Sequence, residues 1–282
     1  MLANLNDMLK KAKNGKYAVG AFNFKEYSDM KSITAAAAEQ NAPVILMSST
    51  ASAKFFGIKE VVYTYKGLCE DLRIPCALHL DHAKDLELIK LCIDAGYTSV
   101  MIDASTMPFD KNIETTKKVV DMAQKKGVSV EAELGTIEGK EEDVVGGAAE
   151  FVDPEKVREF VAKTSVDALA IAIGTVHGFY KKTPRLRFDL IEASAALTEA
   201  PLVMHGGSGL TEYDFKKAIG CGVSKVNVGT ELKHAFSCSL CDTASKDNAT
   251  GIDPMEFMRP VREACKKIAA EKIIIFGSAD RA

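Results

Sequence analysis

Short apolar, β-branched runs alternate along the chain with longer stretches of helical period. The runs fall at 17–24, 43–48, 75–80, 98–103, 128–134, 167–173, 201–205 and 223–228. Runs this short, bounded by turn residues, read as strands buried on both faces. Segments with helix signals follow them. The stretch 29–40 is rich in alanine, 85–95 ends at Gly96, and 112–126 ends at Gly127. Asp153 then Pro154 places a capping residue before a proline at the first helical position, and Thr211 caps a helix that ends at Gly220. Strands alternating with helices imply parallel βαβ units. Eight such units, with no G-x-G-x-x-G after the first strand, favour a closed α/β barrel, the (β/α)8 TIM barrel, over a doubly wound sheet. An extra N-terminal helix, at 4–14, is expected to cover one end of the barrel, and a last helix, at 253–270, to pack outside it.

Composition narrows the picture. A barrel of about 250 residues is one domain, so residues 1–282 are expected to form a single domain, without linker or low-complexity tract. Hydrophobic residues make up 47% of the chain, which fits a globular enzyme rather than a disordered chain. Net charge is −3 and no basic block appears, so nucleic-acid binding has little support. No run approaches the roughly 18 apolar residues of a membrane span. The N-terminal stretch lacks the apolar core of a signal peptide; cytoplasmic residence is the expectation. Seven cysteines, thinly spread, argue for reduced thiols rather than a disulfide framework. Cys238 and Cys241 form a C-x-x-C in a helix-like run with no second pair to complete a metal site.

Barrel enzymes work at the C-terminal ends of their strands, and the reactive side chains of this sequence collect there. Strand three ends in Asp81-His82, strand five in Glu131-Ala132-Glu133, and strand six in Gly174-Thr175-Val176-His177-Gly178. Strand seven ends in His205-Gly206-Gly207-Ser208-Gly209, and strand eight in Asn227-Val228-Gly229-Thr230. Of five histidines, His82, His177 and His205 stand at strand ends. Three neutral imidazoles converging from separate strands make an open zinc site, with a position left for substrate. Backbone alternation raises one difficulty: Asp81 and His82 cannot both face inward unless the strand ends near Asp81 and the chain turns. The glycine-rich turns after strands seven and eight, with Ser208 and Thr230 hydroxyls, suit a phosphate dianion, and Lys181 offers further positive charge. The longest stretch without period, 135–152, follows strand five and carries Glu141, Glu142 and Asp143 between glycines. It reads either as a loop that closes an acid/base group over substrate or as a solvated acidic turn.

These residues resemble the class II, metal-dependent ketose-bisphosphate aldolases, the group of fructose- and tagatose-bisphosphate aldolases. The resemblance runs nearly end to end. Its most specific pieces are His79-Leu80-Asp81-His82, Ser99-Val100-Met101-Ile102-Asp103, Val130-Glu131-Ala132-Glu133-Leu134-Gly135, Gly174-Thr175-Val176-His177-Gly178, His205-Gly206-Gly207-Ser208-Gly209 and Asn227-Val228-Gly229-Thr230-Glu231. The resemblance implies zinc on His82, His177 and His205, with Glu133 and Asp103 as supporting or alternate metal positions. It implies Asp81 as the group that takes the C4 hydroxyl proton, Glu142 as the group that moves the proton at C3, and Asn227 as the residue that steadies the enediolate. Gly178, Lys181, Gly206, Gly207, Ser208, Gly229 and Thr230 fall where the family holds the C1 phosphate, and Asn23 and Ser49 fall near substrate. A monovalent cation (Na+ or K+) near the phosphate and a homodimer or homotetramer are also implied.

One departure stands out. Relatives commonly show Asp-Pro-Arg at the last helix, a region that reaches a neighbouring subunit's site and binds the distal phosphate; here Asp253-Pro254 is followed by Met255, with Arg259 and Arg262 nearby. Three alternatives remain: cleavage of another dihydroxyacetone-phosphate adduct such as a phosphorylated deoxy-keto acid, a Schiff-base aldolase using Lys225, which is in phase with Asn227, and a non-catalytic partner subunit that binds sugar phosphate.

Overall fold

The computed structural model describes residues 1–141, 144–145, 150–180, 185–246 and 251–282. In chain order its elements are α1 (Leu5–Gly15), β1 (Val19–Asn23), α2 (Tyr27–Glu39), β2 (Val44–Ser49), α3 (Thr50–Phe56), α4 (Ile58–Cys69), β3 (Cys76–Ala83), α5 (Leu86–Ala95) and β4 (Ser99–Ile102). Then come α6 (Phe109–Gln124), β5 (Ser129–Leu134), β6 (Glu138–Glu141), β7 (Val144–Val145), α7 (Pro154–Thr164), β8 (Ala168–Ile171) and β9 (Val176–His177). The chain finishes with α8 (Phe188–Leu197), β10 (Leu202–Met204), α9 (Glu212–Cys221), β11 (Val223–Val228), α10 (Thr230–Ala244) and α11 (Pro254–Ile275). Eight strands close a parallel barrel in the order β1-β11-β10-β8-β5-β4-β3-β2, as the alternation predicts.

Several helices start where the sequence supplies side-chain acceptors for their free N–H groups. Asn4 caps α1, Asp153 with Pro154 caps α7, and Thr211 closes a reciprocal capping box with Asp214 on α9. Two helices, α3 and α4, follow β2, split at Gly57 with φ 99°. The last helix runs on to Ile275, past the expected 270, with Pro260 inside it.

Strand alternation sorts the core into two. Outward residues such as Phe22, Leu46, Leu78, Val130 and Leu169 meet the helices in one apolar layer. Inward residues Val19, Ala21, Ile45, Met47, Ala77, Ala168, Ala170 and Val203 form a second cluster with Leu5, Met8, Leu9 and Ala12 of α1. Helix α1 therefore plugs the N-terminal end of the barrel with its apolar face. Going up the barrel, the inward positions turn polar: His79, Ser99, Glu131 and Lys225, then Asn23, Ser49, Asp81, Glu133, His205 and Asn227, all buried.

The stretch after β5 departs from the expected structureless loop. Strand β6 pairs with β7 and, in parallel, with β9, putting Gly139 opposite His177. An isolated bridge from Thr136 to Glu150 closes its base.

Candidate metal centre and active site

Strand β3 resolves the conflict between Asp81 and His82. It continues to Ala83, but its register with β4 slips between Leu80 and Ala83. His82 takes φ 48°, a left-handed conformation that a non-glycine residue rarely adopts. This bulge turns His82 inward beside Asp81, and the strained backbone costs about 1–3 kcal/mol. The chain thus puts both side chains on the barrel axis without ending the strand.

His82, His177 and His205 are buried and offer ring nitrogens that all lie within 4.8 Å of one another. His82 Nδ1 meets Asp103 Oδ2 at 3.2 Å, and Asp103 is itself held by the Ser105 hydroxyl at 2.7 Å. His205 Nε2 meets Glu131 Oε1 at 3.0 Å. The other ring nitrogens, His82 Nε2 and His205 Nδ1, are buried without a hydrogen-bond partner, as is Glu133 Oε2, which lies 3.3 Å from His205 Nδ1. Buried polar atoms are rarely left unsatisfied. Two imidazole nitrogens facing one point, each ring fixed by a carboxylate on its far side, fit a divalent cation.

Asp81 stands beside this cluster. Asn23 Nδ2 donates to its Oδ2 at 2.9 Å, and Asn227 Nδ2 to its Oδ1 at 3.3 Å. Burial alone pushes this carboxyl up, but the neighbouring His82, His205, Lys225 and His79 outweigh it and hold it at about 2. Burial pushes His82 down, yet Asp81, Asp103 and Glu133 raise it to about 10. His79, deeper in the barrel, is lowered to about 3 by burial and by Lys225; its Nδ1 hydrogen-bonds to Ser99 Oγ at 2.7 Å. Glu131 is driven well below the usual carboxylate range: its burial is overcome by Lys225 first and then by His205.

The turns beyond β9, β10 and β11 close one wall. Gly206 has φ 67°, and a Cβ there would stand 2.6 Å from the Val176 carbonyl oxygen, so only glycine fits. A Cβ on Gly207 would come 3.2 Å from the Asn227 carbonyl oxygen. Gly178 has φ 91°. Ser208 is buried, Gly229 is the N-cap residue of α10, and Thr230 is that helix's first residue. These turns bring backbone N–H groups and a helix N-terminus to the same face as the histidines. Ser49 ends β2 opposite Asp81 and caps α3 through Ser52. Lys181, Glu142 and Asp143 lie outside the described residues.

Two participants, Glu131 and Tyr180, were not singled out by sequence reasoning. Glu131, rather than Glu133, holds the far nitrogen of His205; its inward phase with Glu133 was the available signal. Tyr180 accepts from Val176 N at 3.1 Å and donates to the Gly206 carbonyl at 2.7 Å, tying the histidine segment to the glycine turn. Lys225 is fully buried and ion-paired with Glu131 at 2.8 Å, so it is engaged rather than poised as a free amine. Cys238 and Cys241 lie exposed on α10, away from any disulfide.

The sequence profile described as "Fructose-bisphosphate aldolase class-II" matches residues 3–281. A fructose-bisphosphate aldolase of Staphylococcus aureus (strain Mu50 / ATCC 700699) is 45% identical over 284 residues, covering 100% of this chain and 99% of that protein. One from Geobacillus stearothermophilus is similar to the same extent, 45% over 284 residues with 100% and 99% coverage. The crystal structure of the YdjI aldolase from Escherichia coli K12 superposes with a TM-score of 0.87 at 31% identity, covering 100% of both chains. With a closed barrel, three converging histidines and a match along almost its whole length, the chain belongs to the class II fructose-bisphosphate aldolase family, a family of metal-dependent lyases.

Proposed function

We propose that the chain catalyses reversible, zinc-dependent cleavage of a ketose 1,6-bisphosphate, fructose before tagatose, to dihydroxyacetone phosphate and glyceraldehyde 3-phosphate. The observation that carries this reading is the pair of buried ring nitrogens left without a hydrogen bond, His82 Nε2 and His205 Nδ1, with Glu133 Oε2 3.3 Å from the latter, beside a carboxylate held by two amides. His82, His177 and His205 would hold the ion, with Glu133 within reach. Zinc bound there would polarise the ketose carbonyl and stabilise the negative charge that develops as the C3–C4 bond breaks.

The chain's own groups do the rest. Asp81, fixed by Asn23 and Asn227, takes the C4 hydroxyl proton as the bond electrons pass to C3. Glu142 then supplies a proton to C3. The Asn227 amide donates to the oxygen on which charge collects. The N–H groups of Gly178, Gly206, Gly207, Ser208, Gly229 and Thr230, with Lys181, bind the C1 phosphate, beside a monovalent cation. Asn23 and Ser49 border the substrate. Lys225 is bound to Glu131 and Asn227, which favours metal over Schiff-base chemistry.

The distal phosphate falls to a neighbouring subunit of a homo-oligomer. Arg262 is engaged by Ser28 and by the Tyr27 ring. Arg259 is paired with Glu256 on its own helix but is exposed, whereas Arg262 is half-buried, so Arg259 is the one placed to replace the arginine that Met255 displaces. Among the described residues no helix is long and apolar enough to cross a membrane; cytoplasmic residence belongs to the same proposal. The test is release of dihydroxyacetone phosphate from fructose bisphosphate, tagatose bisphosphate and a phosphorylated deoxy-keto acid, with and without chelator. Fructose bisphosphate is expected to be cleaved fastest, with activity lost to chelator and restored by zinc. Zinc-loaded protein that cleaves none of them refutes the proposal.

A further inference from the structure

The outer face of α10 carries a cluster that the barrel chemistry does not use. His234, Cys238 and Cys241 follow one another at spacings of four and three residues. On a helix of 3.6 residues per turn, side chains so spaced lie within about 60° of one another around the axis. They stand opposite Leu232 and Thr243, which are buried, and all three are exposed.

His234 and Cys238 are already in contact. Cys238 Sγ lies 3.5 Å from His234 Nε2 and 3.7 Å from Nδ1. An ion bound tetrahedrally at about 2.1 Å from nitrogen and about 2.3 Å from sulfur holds those two atoms about 3.6 Å apart. The pair therefore spans one edge of a coordination tetrahedron as it stands. Ligands four residues apart on a helix are a recurring zinc-binding arrangement. The imidazole is also steadied from the other side, where the Phe179 ring meets it edge-on with centroids 5.5 Å apart.

Cys241 supplies a third ligand. Its spacing from Cys238, C-x-x-C, is that of paired zinc ligands. Among the described residues only the barrel histidines have three ligand atoms within 4.8 Å of one another, so Cys241 joins by turning about its single side-chain torsion, which has several staggered positions open to an exposed thiol. The sequence offers no second cysteine pair, but the preceding turn of helix offers an imidazole instead. Each thiol releases its proton as it binds, so two thiolates neutralise a divalent ion and the imidazole stays uncharged. One nitrogen and two sulfurs select a thiophilic ion over magnesium or calcium.

We propose that His234, Cys238 and Cys241 form a second metal site, outside the barrel, for a thiophilic divalent cation such as zinc. The inference does not depend on the aldolase reading, because it rests on α10 and is tested without substrate.

The experiment titrates metal-free protein, kept reduced with a phosphine, with cobalt(II) as the probe. Thiolate-to-cobalt charge transfer absorbs in the near ultraviolet. The three barrel histidines offer no thiolate, so this band reports α10. The parent is expected to develop the band at micromolar cobalt and to lose it when zinc is added. Cys238→Ser/Cys241→Ser is expected to bind one ion fewer per chain and to show no band. His234→Gln, which keeps both thiols, is expected to weaken cobalt binding at this band by more than the roughly tenfold that a merely supporting contact costs. The substituted positions are exposed, and a cooperative thermal transition checks that each variant folds. A band that persists in the double serine variant overturns the proposal. So does a band that appears only at millimolar cobalt, that zinc does not displace, or whose affinity is unchanged in His234→Gln.

Discussion

Glu131 and Glu133 leave β5 on the same face, two positions apart, and meet opposite nitrogens of the same imidazole. Asp103 does for His82 what Glu131 does for His205. Carboxylates behind ligand histidines typically contribute about 10- to 100-fold to metal affinity. Asp103→Asn is therefore expected to weaken zinc binding by that factor, read by competition with a chromogenic chelator, whereas His205→Ala abolishes it. Unchanged affinity in Asp103→Asn refutes the assignment. Asp81→Asn, which keeps the shape but accepts no proton, should lower kcat by about 10²- to 10⁴-fold while zinc content stays at the parent level. Asp81, Glu133, His205 and Asn227 were legible in the sequence as polar residues at the C-terminal ends of strands, whereas Asn23 came only from the family resemblance. His82 was legible only as chemistry. Its orientation depends on a left-handed bulge that alternation forbids and that nothing local in Leu80-Asp81-His82-Ala83 announces. The pairing of Glu131 with Lys225 joins residues 94 apart in sequence, beyond any local pattern.

Among the elements, glycine positions separate turns that need the residue from helices that merely carry it. At Gly206 a Cβ would press on the Val176 carbonyl at φ 67°, next to the strand that bears His177. Gly206→Ala is expected to destabilise by about 1–3 kcal/mol and to weaken zinc binding as well, measured by thermal unfolding with and without metal. Gly220, inside α9, has open space where a Cβ would stand, with nothing within 4 Å. Gly220→Ala should stabilise by about 0.5–1 kcal/mol through helix propensity. If both substitutions shift the unfolding temperature equally, the argument from close approach is wrong. The eight barrel strands and most helix starts were readable because buried strands, caps and glycine stops are local signals. The second helix after β2 and the β6–β9 pairing were not, since the latter is a contact between two segments about forty residues apart.

Across the whole molecule, the barrel carries its polarity along its axis, apolar over α1 and ionic at the other end. Leu9, fully buried in that plug, should cost about 2–5 kcal/mol when cut to alanine with little change in kcat, since it lies at the opposite end from the histidines. Away from the histidine cluster, Asp29 in the first turn of α2 is raised by burial to about 6. A raised acid favours the fold while protonated. That contribution is complete below about pH 4 and is lost as pH rises through 6. The stability difference between the parent and Asp29→Asn should therefore change by up to about 3 kcal/mol across this interval, in favour of the parent at the acid end. Urea midpoints that run parallel from pH 4 to 7 exclude it.

The short sheet of β6, β7 and β9 also decides which pieces of this protein are interchangeable. By its sequence the segment 135–152 looks like a cassette, free to be swapped for a relative's version to retune what the pocket accepts. Its first strand, however, lies in register with the strand of His177, Glu138 beside Val176 and Gly139 beside His177, and a Cβ at Gly139 would meet the His177 carbonyl oxygen. The transplantable unit therefore begins beyond residue 139. A graft that moves this boundary rewrites the backbone of His177, a candidate metal ligand, so an exchange of the loop that spares the histidine cluster keeps its first turn unchanged.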